Sequence, residues 1–327
     1  MKEFDVFALG NPLHDLQVQV SDDFLASLGA PKGGVSLIDR EQYDALIPKL
    51  AGLPINGAAG GSAANTMIGI QLFGGTTCFT GKIGADSFGS DYRDSMTAKG
   101  VHTNLAVGES PTGLCVILIT PDAQRTMFTY LGAGRELAPA DVQTEILAKS
   151  RYLYVTGYLW DTDSQKQAVL FAMEEARKHQ VPIAMSLSDP FCVHRHKADF
   201  QKIVTEHVDL LFGNQEEIEA FTGTKTPQEA LAALMPLCGM VAITMSAQGS
   251  LIGHQGEIHP IDAFPVTAVD STGAGDMYAA GLLYGLTHDL PLTKTGLLAS
   301  YGAAEVVSRL GPRLEKIDQE AIARLLV

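Results

Sequence analysis

The part of the chain best suited to chemistry is a glycine-rich turn that leads into an apolar helical run, "STGAGDMYAAGLLYGL", residues 271–286. The first backbone N–H groups of a helix have no acceptor within the helix, and the helix dipole adds about half a positive charge there. Small side chains leave those amides open to an anion, and a carboxylate beside them can take a proton from an attacking hydroxyl. The pattern predicts phosphoryl transfer, with a plain glycine turn before a capping aspartate as the simpler alternative. The residues concerned are Gly273, Ala274, Gly275 and Asp276.

The composition is that of a folded protein with a large core. Its 327 residues, 46% of them hydrophobic and 18% charged, could form one large α/β domain or two unequal ones. A formal charge of −14 argues against nucleic acid as a partner, because phosphate backbones are bound by basic surfaces. The four cysteines include no C-x-x-C pair, and the N-terminal residues contain no signal-like or membrane-spanning run. We therefore expect a soluble, cytoplasmic protein with reduced thiols and no membrane contact.

Short β-branched or apolar runs alternate with helical patterns along most of the chain. Such alternation is typical of a largely parallel sheet with helices on both faces. The predicted strands are Val6–Leu9, Thr77–Thr80, Tyr152–Val155, Ile183–Leu187, Leu210–Phe212 and Val241–Met245. The clearest predicted helices are Asp86–Lys99, Asp163–Lys178 and Gln215–Phe221.

Two stretches depart from this pattern. Residues 15–20 alternate strictly between polar and apolar, and Val116–Thr120 with Thr126–Tyr130 resembles a hairpin. Strict alternation indicates a sheet with one solvated face, so these segments predict a small second sheet outside the main core. A sheet that projects beside a cleft would serve as a lid.

Two other glycine-containing stretches were weighed as ligand sites. Residues 56–65 contain no G-x-G-x-x-G, but their small side chains would let a ligand approach the backbone closely. An ordinary strand-to-helix turn is the alternative there. Gly81-Lys82 is not a P-loop, because Ile83 stands where a Ser or Thr would bind magnesium.

Several motifs then follow one another in order along the chain. They are GNPLHDLQVQV (10–20), GGSAANTMIGIQLFGG (60–75), TGKIGADSFG (80–89), RTMFTYLGAG (125–134), GNQEE (213–217), DSTGAGDMY (270–278) and SYGAAEVVSRLGP (300–312). Together they resemble the ribokinase-like (PfkB) family of carbohydrate and nucleoside kinases, in its adenosine-kinase-like branch, over nearly the whole chain. The resemblance implies a doubly wound, mostly parallel α/β sheet flanked by helices, with a small β-sheet lid.

The resemblance also implies roles for residues around the acceptor substrate. Asp276 matches the family's catalytic base, and Gly273, Ala274 and Gly275 match its anion hole for the γ-phosphate. Asp15 matches the aspartate that binds sugar hydroxyls, which suits a carboxylate facing two vicinal hydroxyls. Further substrate contacts are implied for Asn11, Gly60, Gly61 and Asn65.

A second group of residues is implied for the nucleotide. Asn214 and Glu217 match the family's N-x-x-E, whose glutamate organises Mg²⁺ through water. Thr244 and Gly249 match a loop that lines the nucleotide, although Ser246 stands where the family usually has glycine. Arg125 is expected to be a lid cation for the phosphates.

The sequence therefore predicts an ATP- and Mg²⁺-dependent kinase acting on a primary hydroxyl of a ribose-containing substrate, foremost the 5′-hydroxyl of a nucleoside such as adenosine. A kinase of free ribose or fructose is the alternative, and a non-catalytic ligand sensor on the same fold is an alternative of another class. The expected large domain comprises residues 1–11, 41–107 and 135–327, and the lid comprises residues 12–40 and 108–134. The expected partner is a small molecule, and the expected assembly is a monomer or homodimer.

Overall fold

The computed structural model describes residues 2–29, 31–122 and 124–326, so residues 1, 30, 123 and 327 of the predicted domains lie outside the described residues. The strands of the described ranges are β1 Phe4–Leu9, β2 Leu13–Gln19, β3 Val35–Leu37, β4 Ile55–Gly60, β5 Thr77–Ile83, β6 His102–Val107, β7 Gly113–Ile119, β8 Arg125–Tyr130, β9 Ser150–Thr156, β10 Ile183–Ser186, β11 Leu210–Asn214, β12 Met240–Thr244, β13 Ser250–His254 and β14 Glu257–Ile261. The α-helices are α1 Asp22–Ser27, α2 Arg40–Leu46, α3 Ser62–Phe73, α4 Ser87–Ala98, α5 Thr144–Ala148, α6 Asp163–Lys178, α7 Pro190–Glu206, α8 Gln215–Thr222, α9 Pro227–Cys238, α10 Ala274–Thr287, α11 Leu292–Val307 and α12 Gln319–Leu326.

The large sheet has nine strands in the order β14-β13-β12-β11-β10-β9-β1-β5-β6. All neighbours from β12 to β6 are parallel, and β13 and β14 extend the sheet as antiparallel strands. Separate apolar clusters cover its two faces, one including α6, α7 and α9 and the other including α3, α10 and α11. The predicted mostly parallel α/β fold with helices on both faces is confirmed, and each predicted strand and helix is present with ends that differ by a few residues.

The small sheet has five strands in the order β3-β8-β7-β2-β4. In β2 the side chains alternate between buried and partly exposed, as the polar–apolar pattern predicted. The predicted hairpin is present, because β7 and β8 pair in antiparallel register. The buried face packs Leu16 and Val18 of β2 against Leu46 and Leu50.

The predicted boundary between the two domains at residue 40 needs correction. Residues 41–60 are predicted to belong to the large domain, but β4 pairs with β2 in the small sheet, and α2 packs its Leu46 against that sheet's core. The reason lies in the composition of β4, whose sequence INGAAG has no alternation and a single β-branched residue. β4 is therefore a strand because of its backbone pairing with β2, and not because its side chains favour extended structure.

Among the described residues, no helix is long and apolar enough to cross a membrane.

Candidate active site

The predicted site residues gather at the edge where the parallel strands of the large sheet end. Asn11 follows β1 closely, Asn214 is the last residue of β11, and Thr244 is the last residue of β12. Helix α3 begins at the same edge, because its N-cap Gly61 packs against the carbonyl oxygen of Asn11. In open α/β sheets this edge is where ligands bind.

The turn before α10 needs glycine at its N-cap. Gly273 has φ +80°, a left-handed conformation that glycine adopts without steric cost. A Cβ at this position would also collide with the backbone of Pro312, so the C-terminal segment packs directly on the turn.

Three of the four amides from Gly273 to Asp276 have no protein acceptor. We expected all the amides from Gly273 to Asp276 to be free, but the amide of Ala274 donates to the carbonyl oxygen of Ser271 at 3.2 Å and closes the turn. The amides of Gly273, Gly275 and Asp276 donate to no protein acceptor in the part of the chain described. A Cβ at Gly275 would meet no atom within 4 Å, so its small size leaves open space in front of these donors.

The carboxylate of Asp276 is fixed by two side chains of α3. Ser62 Oγ donates to one carboxylate oxygen at 2.6 Å, and Asn65 Nδ2 donates to the other at 2.8 Å. Burial raises the pKa of Asp276, while the hydrogen bonds from Ser62 and Asn65 and the positive charge of Arg313 oppose that rise. A carboxylate held in one orientation, with a raised pKa, is suited to accept a proton.

Asp15 lies in the same cluster. Its carboxyl group occupies the space that a side chain at position 60 would need, which explains why Gly60 is glycine. Burial raises the pKa of Asp15 to about 6, Arg313 opposes that rise, and Asp276 adds to it. Asp276, in the first turn of α10, therefore influences the ionisation of Asp15 on β2 of the small sheet.

The raised pKa of Asp15 predicts a specific pH dependence of stability. Between about pH 4 and pH 6 the folded chain keeps a proton on Asp15 that the unfolded chain has released, so the free energy of unfolding falls as pH rises through this window. In wild type this decrease in the free energy of unfolding is on the order of 3 kcal/mol for a pKa raised to about 6, and the Asp15→Asn variant does not show it. In denaturant titrations, its stability relative to wild type should therefore increase from pH 4 to pH 7. A difference that is constant across that range would contradict the assignment.

The two asparagines predicted as substrate contacts already have protein partners. Asn65 donates to Asp276 and accepts from Arg313 Nε at 2.5 Å. Asn11 is buried; it donates to the carbonyl oxygen of Tyr158 at 3.1 Å and accepts from Gln165 Nε2 at 2.7 Å. Their contacts with a substrate remain predictions.

Asn214 and Glu217 form a capping box at the start of α8. Asn214 accepts from the amide of Glu217 at 2.9 Å, and the Glu217 carboxylate accepts from the Asn214 amide at 3.1 Å and from its Nδ2 at 2.6 Å. Burial raises the pKa of Glu217 to about 7, although the hydrogen bond from Asn214 opposes the rise, and the negative charges of Asp189 and Asp276 add to it. The motif therefore stabilises the start of α8. A bound cation would also offset the repulsion between the buried Glu217 carboxylate and the negative charges around it.

The turn between β12 and β13 contains the predicted nucleotide residues Thr244, Ser246 and Gly249. Gly249 has φ +84°, and a Cβ there would collide with the carbonyl oxygen of Ile261. Ser246 has φ +52°, which is unusual for a residue other than glycine. The position at which the chain departs from the family pattern is thus one that favours glycine.

This conformation predicts opposite effects for two substitutions in one turn. Ser246→Gly should raise the free energy of unfolding by up to about 1 kcal/mol, because the relief of left-handed strain exceeds the added chain entropy of glycine. Gly249→Ala should lower it by more than about 2 kcal/mol through the clash with Ile261. Thermal or denaturant unfolding of both variants measures this, and a destabilised Ser246→Gly protein would contradict it.

Arg125 links the small sheet to the turn before α10. Its Nη1 lies 2.8 Å from Asp270 Oδ2 and 3.3 Å from Thr272 Oγ1. The guanidinium was predicted to contact phosphates, and it is here paired with a carboxylate three residues before Gly273. Binding of phosphate by Arg125 remains a prediction, and it would require the guanidinium to leave Asp270 for the phosphate.

Sequence reasoning did not find Ser62 and Arg313, which both belong to the cluster around Asp276. Ser62 lies one residue after the glycines that were singled out, so its position at the start of a helix was the available signal. Arg313 lies one residue beyond the motif at residues 300–312, and nothing in its immediate sequence relates it to Asp276. Only the packing of Pro312 on Gly273 brings it there.

The fold, with a carboxylate and a helix start at the carboxyl edge of its parallel sheet, is that of an α/β phosphotransferase. The family model described as "pfkB family carbohydrate kinase" matches residues 44–319 of this chain. The chain belongs to this family, and it is a phosphotransferase acting on a hydroxyl of a sugar or nucleoside. ATP as phosphate donor follows from the family.

Individual relatives place the chain in the adenosine-kinase-like branch. It is 26% identical to adenosine kinase of Saccharomyces cerevisiae over 93% of this chain and 95% of that one, and 28% identical to 5-dehydro-2-deoxygluconokinase of Geobacillus kaustophilus over 80% and 83%. Among solved structures, adenosine kinase from Sinorhizobium meliloti has a TM-score of 0.88 at 35% identity, covering 98% of this chain and 99% of that one. A protein described as a probable sugar kinase from Rhizobium etli has a TM-score of 0.90 at 35% identity, covering 99% of both.

Proposed function

We propose that the protein transfers the γ-phosphoryl group of ATP to a primary hydroxyl of a ribose-containing substrate, with the 5′-hydroxyl of a nucleoside such as adenosine as the preferred acceptor. The observation that carries the proposal is the meeting of Asp15 and Asp276 in one partly exposed cluster beside open amides of α10. A carboxylate that accepts from vicinal hydroxyls and a second that accepts a proton from a primary hydroxyl are the two functions that such an acceptor requires. Similarity to adenosine kinases over nearly the full chain supports the nucleoside.

In this proposal Asp276 takes the proton of the acceptor hydroxyl as its oxygen forms a bond to the γ-phosphorus and the bond to the β-phosphate oxygen breaks, which releases ADP. Ser62 and Asn65 hold the carboxylate in line with that hydroxyl. The amides of Gly275 and Asp276 stabilise the negative charge on the phosphoryl oxygens. The small sheet excludes water from the site, so that ATP is not hydrolysed.

Mg²⁺ is part of the proposal, and the residues at the start of α8 fit it. Glu217 presents a buried carboxylate near Asp189 and Asp276, and Asn214 adds an amide oxygen, all of them the oxygen ligands that Mg²⁺ prefers. Glu217 and Asn214 would hold the ion through water, and the ion would neutralise charge on the phosphates.

A kinase of free sugars is the second candidate. Its support is the similarity to 5-dehydro-2-deoxygluconokinases, which matches that to adenosine kinase in identity but covers less of the chain. The same carboxylate clamp at Asp15 serves the hydroxyls of a free sugar equally well.

A screen of ATP consumption by the purified protein separates these candidates. The acceptors are adenosine, inosine, guanosine, ribose, fructose and 5-dehydro-2-deoxygluconate, each tested with wild type and with Asp276→Asn. The highest kcat/KM on a nucleoside is the expected result. A preference for any free sugar would replace the nucleoside assignment, and no turnover on any acceptor would favour the ligand-sensor alternative.

Gly275→Ala tests the anion site without disturbing the fold. The added methyl group meets no protein atom within 4 Å, and alanine is favoured over glycine in a helix by about 1 kcal/mol. We expect unfolding to be unchanged or shifted to higher temperature, while kcat/KM falls about 100-fold because the methyl group takes space needed by the phosphate. Unchanged kcat/KM in a folded variant would show that phosphate does not bind at this helix start.

A further inference from the structure

The segment after α11 is held against the reaction centre by several contacts. Pro312 packs on Gly273, and the amide of Gly311 donates to Asp270 Oδ2 at 2.8 Å. These contacts position the next residue, Arg313, beside the start of α3. There Arg313 Nε donates to Asn65 Oδ1 at 2.5 Å.

The hydrogen bond from Arg313 determines which end of the Asn65 amide faces Asp276. A guanidinium has only donors, so its contact requires the carbonyl oxygen of the amide. The Nδ2 group of Asn65 is then directed to Asp276, to which it donates at 2.8 Å. Without Arg313, Asn65 could rotate its amide and place its oxygen against the carboxylate, where it would repel the base.

The charge of Arg313 has no contact ion pair within the described residues. Its Nη2 is buried without a hydrogen-bond partner, and the carboxylates of Asp15 and Asp276 balance its charge only from a distance. For the fold alone, a cation with a buried donor that lacks an acceptor is unfavourable. The other titratable groups around it are Tyr92, Glu315, which pairs with Lys99, and His14.

We propose that Arg313 is a positioning residue of the reaction centre: it orients Asn65, and through Asn65 the carboxylate of Asp276, and it places a positive charge near that carboxylate. This inference rests on the proposed role of Asp276 as the base. The positive charge of Arg313 acts to lower the pKa of Asp276, in opposition to burial, which raises it.

Arg313→Gln removes the charge while keeping a donor of similar length. We expect kcat to fall 10- to 100-fold with little change in the KM for ATP, and the acidic limb of the kcat–pH profile to move to higher pH. Arg313→Lys should restore the position of that limb better than it restores kcat, because it keeps the charge but not the planar geometry. The matched control is Arg309→Gln in the same segment, where the exposed Arg309 pairs with Glu305; it should leave both readouts unchanged.

A double-mutant cycle tests whether Arg313 acts through Asn65. If it does, Arg313→Met, which has neither the charge nor the donor to Asn65, should lower kcat by less than threefold in an Asn65→Ala background. Additive losses, or an unmoved pH limb with an unmoved kcat, would overturn the proposal. Should Arg313→Met fail to fold, the same cycle is run with Arg313→Lys.

A readout without turnover separates this inference from the proposed function. If wild type phosphorylates no acceptor, the proposed function fails, but a ¹³C NMR titration of the Asp276 carboxyl can still compare wild type with Arg313→Gln. A higher Asp276 pKa in the variant supports the charge effect of Arg313, and an equal or lower pKa contradicts it.

Discussion

Asp276→Asn is expected to lower kcat by about 10³-fold, while the KM values for both substrates change by less than about threefold. General-base catalysis contributes about 10² to 10⁴ in rate, and about 10³ corresponds to roughly 4 kcal/mol of transition-state stabilisation. Asparagine keeps the size of the side chain and an oxygen that Ser62 can contact, but it cannot take the proton. Steady-state kinetics with the preferred acceptor measures the effect.

The thermal stability of the same variant should not fall. Burial disfavours the charge of Asp276, so a neutral side chain removes an unfavourable contribution to folding, and this gain offsets the contact between the new amide nitrogen and Asn65 Nδ2, which are both donors. Asp163→Asn is the matched control, because Asp163 also lies in the first turn of a helix but is exposed. Its kcat should equal that of wild type. If both variants lose stability and neither loses kcat, Asp276 is a helix-terminal charge and the base assignment is wrong.

Asp15→Ala is expected to raise the KM for the acceptor by about 100-fold, with less than a tenfold effect on kcat. Each hydrogen bond to a charged group contributes about 1.5 to 3 kcal/mol, and the alanine variant loses two such bonds to vicinal hydroxyls. Asp15→Asn keeps one acceptor oxygen and should lose about tenfold. The KM for ATP should remain unchanged, since Asp15 lies in the small sheet.

A variant on the same strand provides the control for Asp15. Gln17 lies two residues further along β2, on the same face, and is partly exposed. Gln17→Ala should leave the KM for the acceptor within about twofold of wild type. If it raises that KM as much as Asp15→Ala does, the effect arises from the strand as a whole, and the hydroxyl-clamp role of Asp15 is wrong.

The strands and helices that were predicted correctly have strong local signals. The apolar strands of the large sheet are buried on both faces and rich in branched residues, and α6 begins and ends at the predicted residues. The alternation in β2 likewise reports which face is buried. Strand β4 was missed because glycine and alanine carry little strand preference, so its assignment depends on the hydrogen bonds that β2 offers it.

The cluster around Asp276 also combines residues that can be recognised from local sequence with residues that only tertiary contacts bring there. Its glycines could be identified from sequence, since a left-handed turn and an open anion site both require the absence of a side chain. The partners of its carboxylate could not, because the residues that donate to it directly lie more than two hundred positions away in sequence, at separations of 214 and 211. The same holds for Arg313, which is 248 residues from Asn65.

The sequence by itself determined the family, the parallel α/β core and the glycine turn, and it named the two carboxylates of the proposed site, because each depends on residues close to one another in the chain. The tertiary structure decided which groups surround those carboxylates, and therefore how strongly burial and Arg313 act on their pKa values. It also decided that one amide of the turn is used internally and that Ser246 is held in a left-handed conformation. Electrostatic and packing interactions depend on distance in space, and only the folded chain defines that distance.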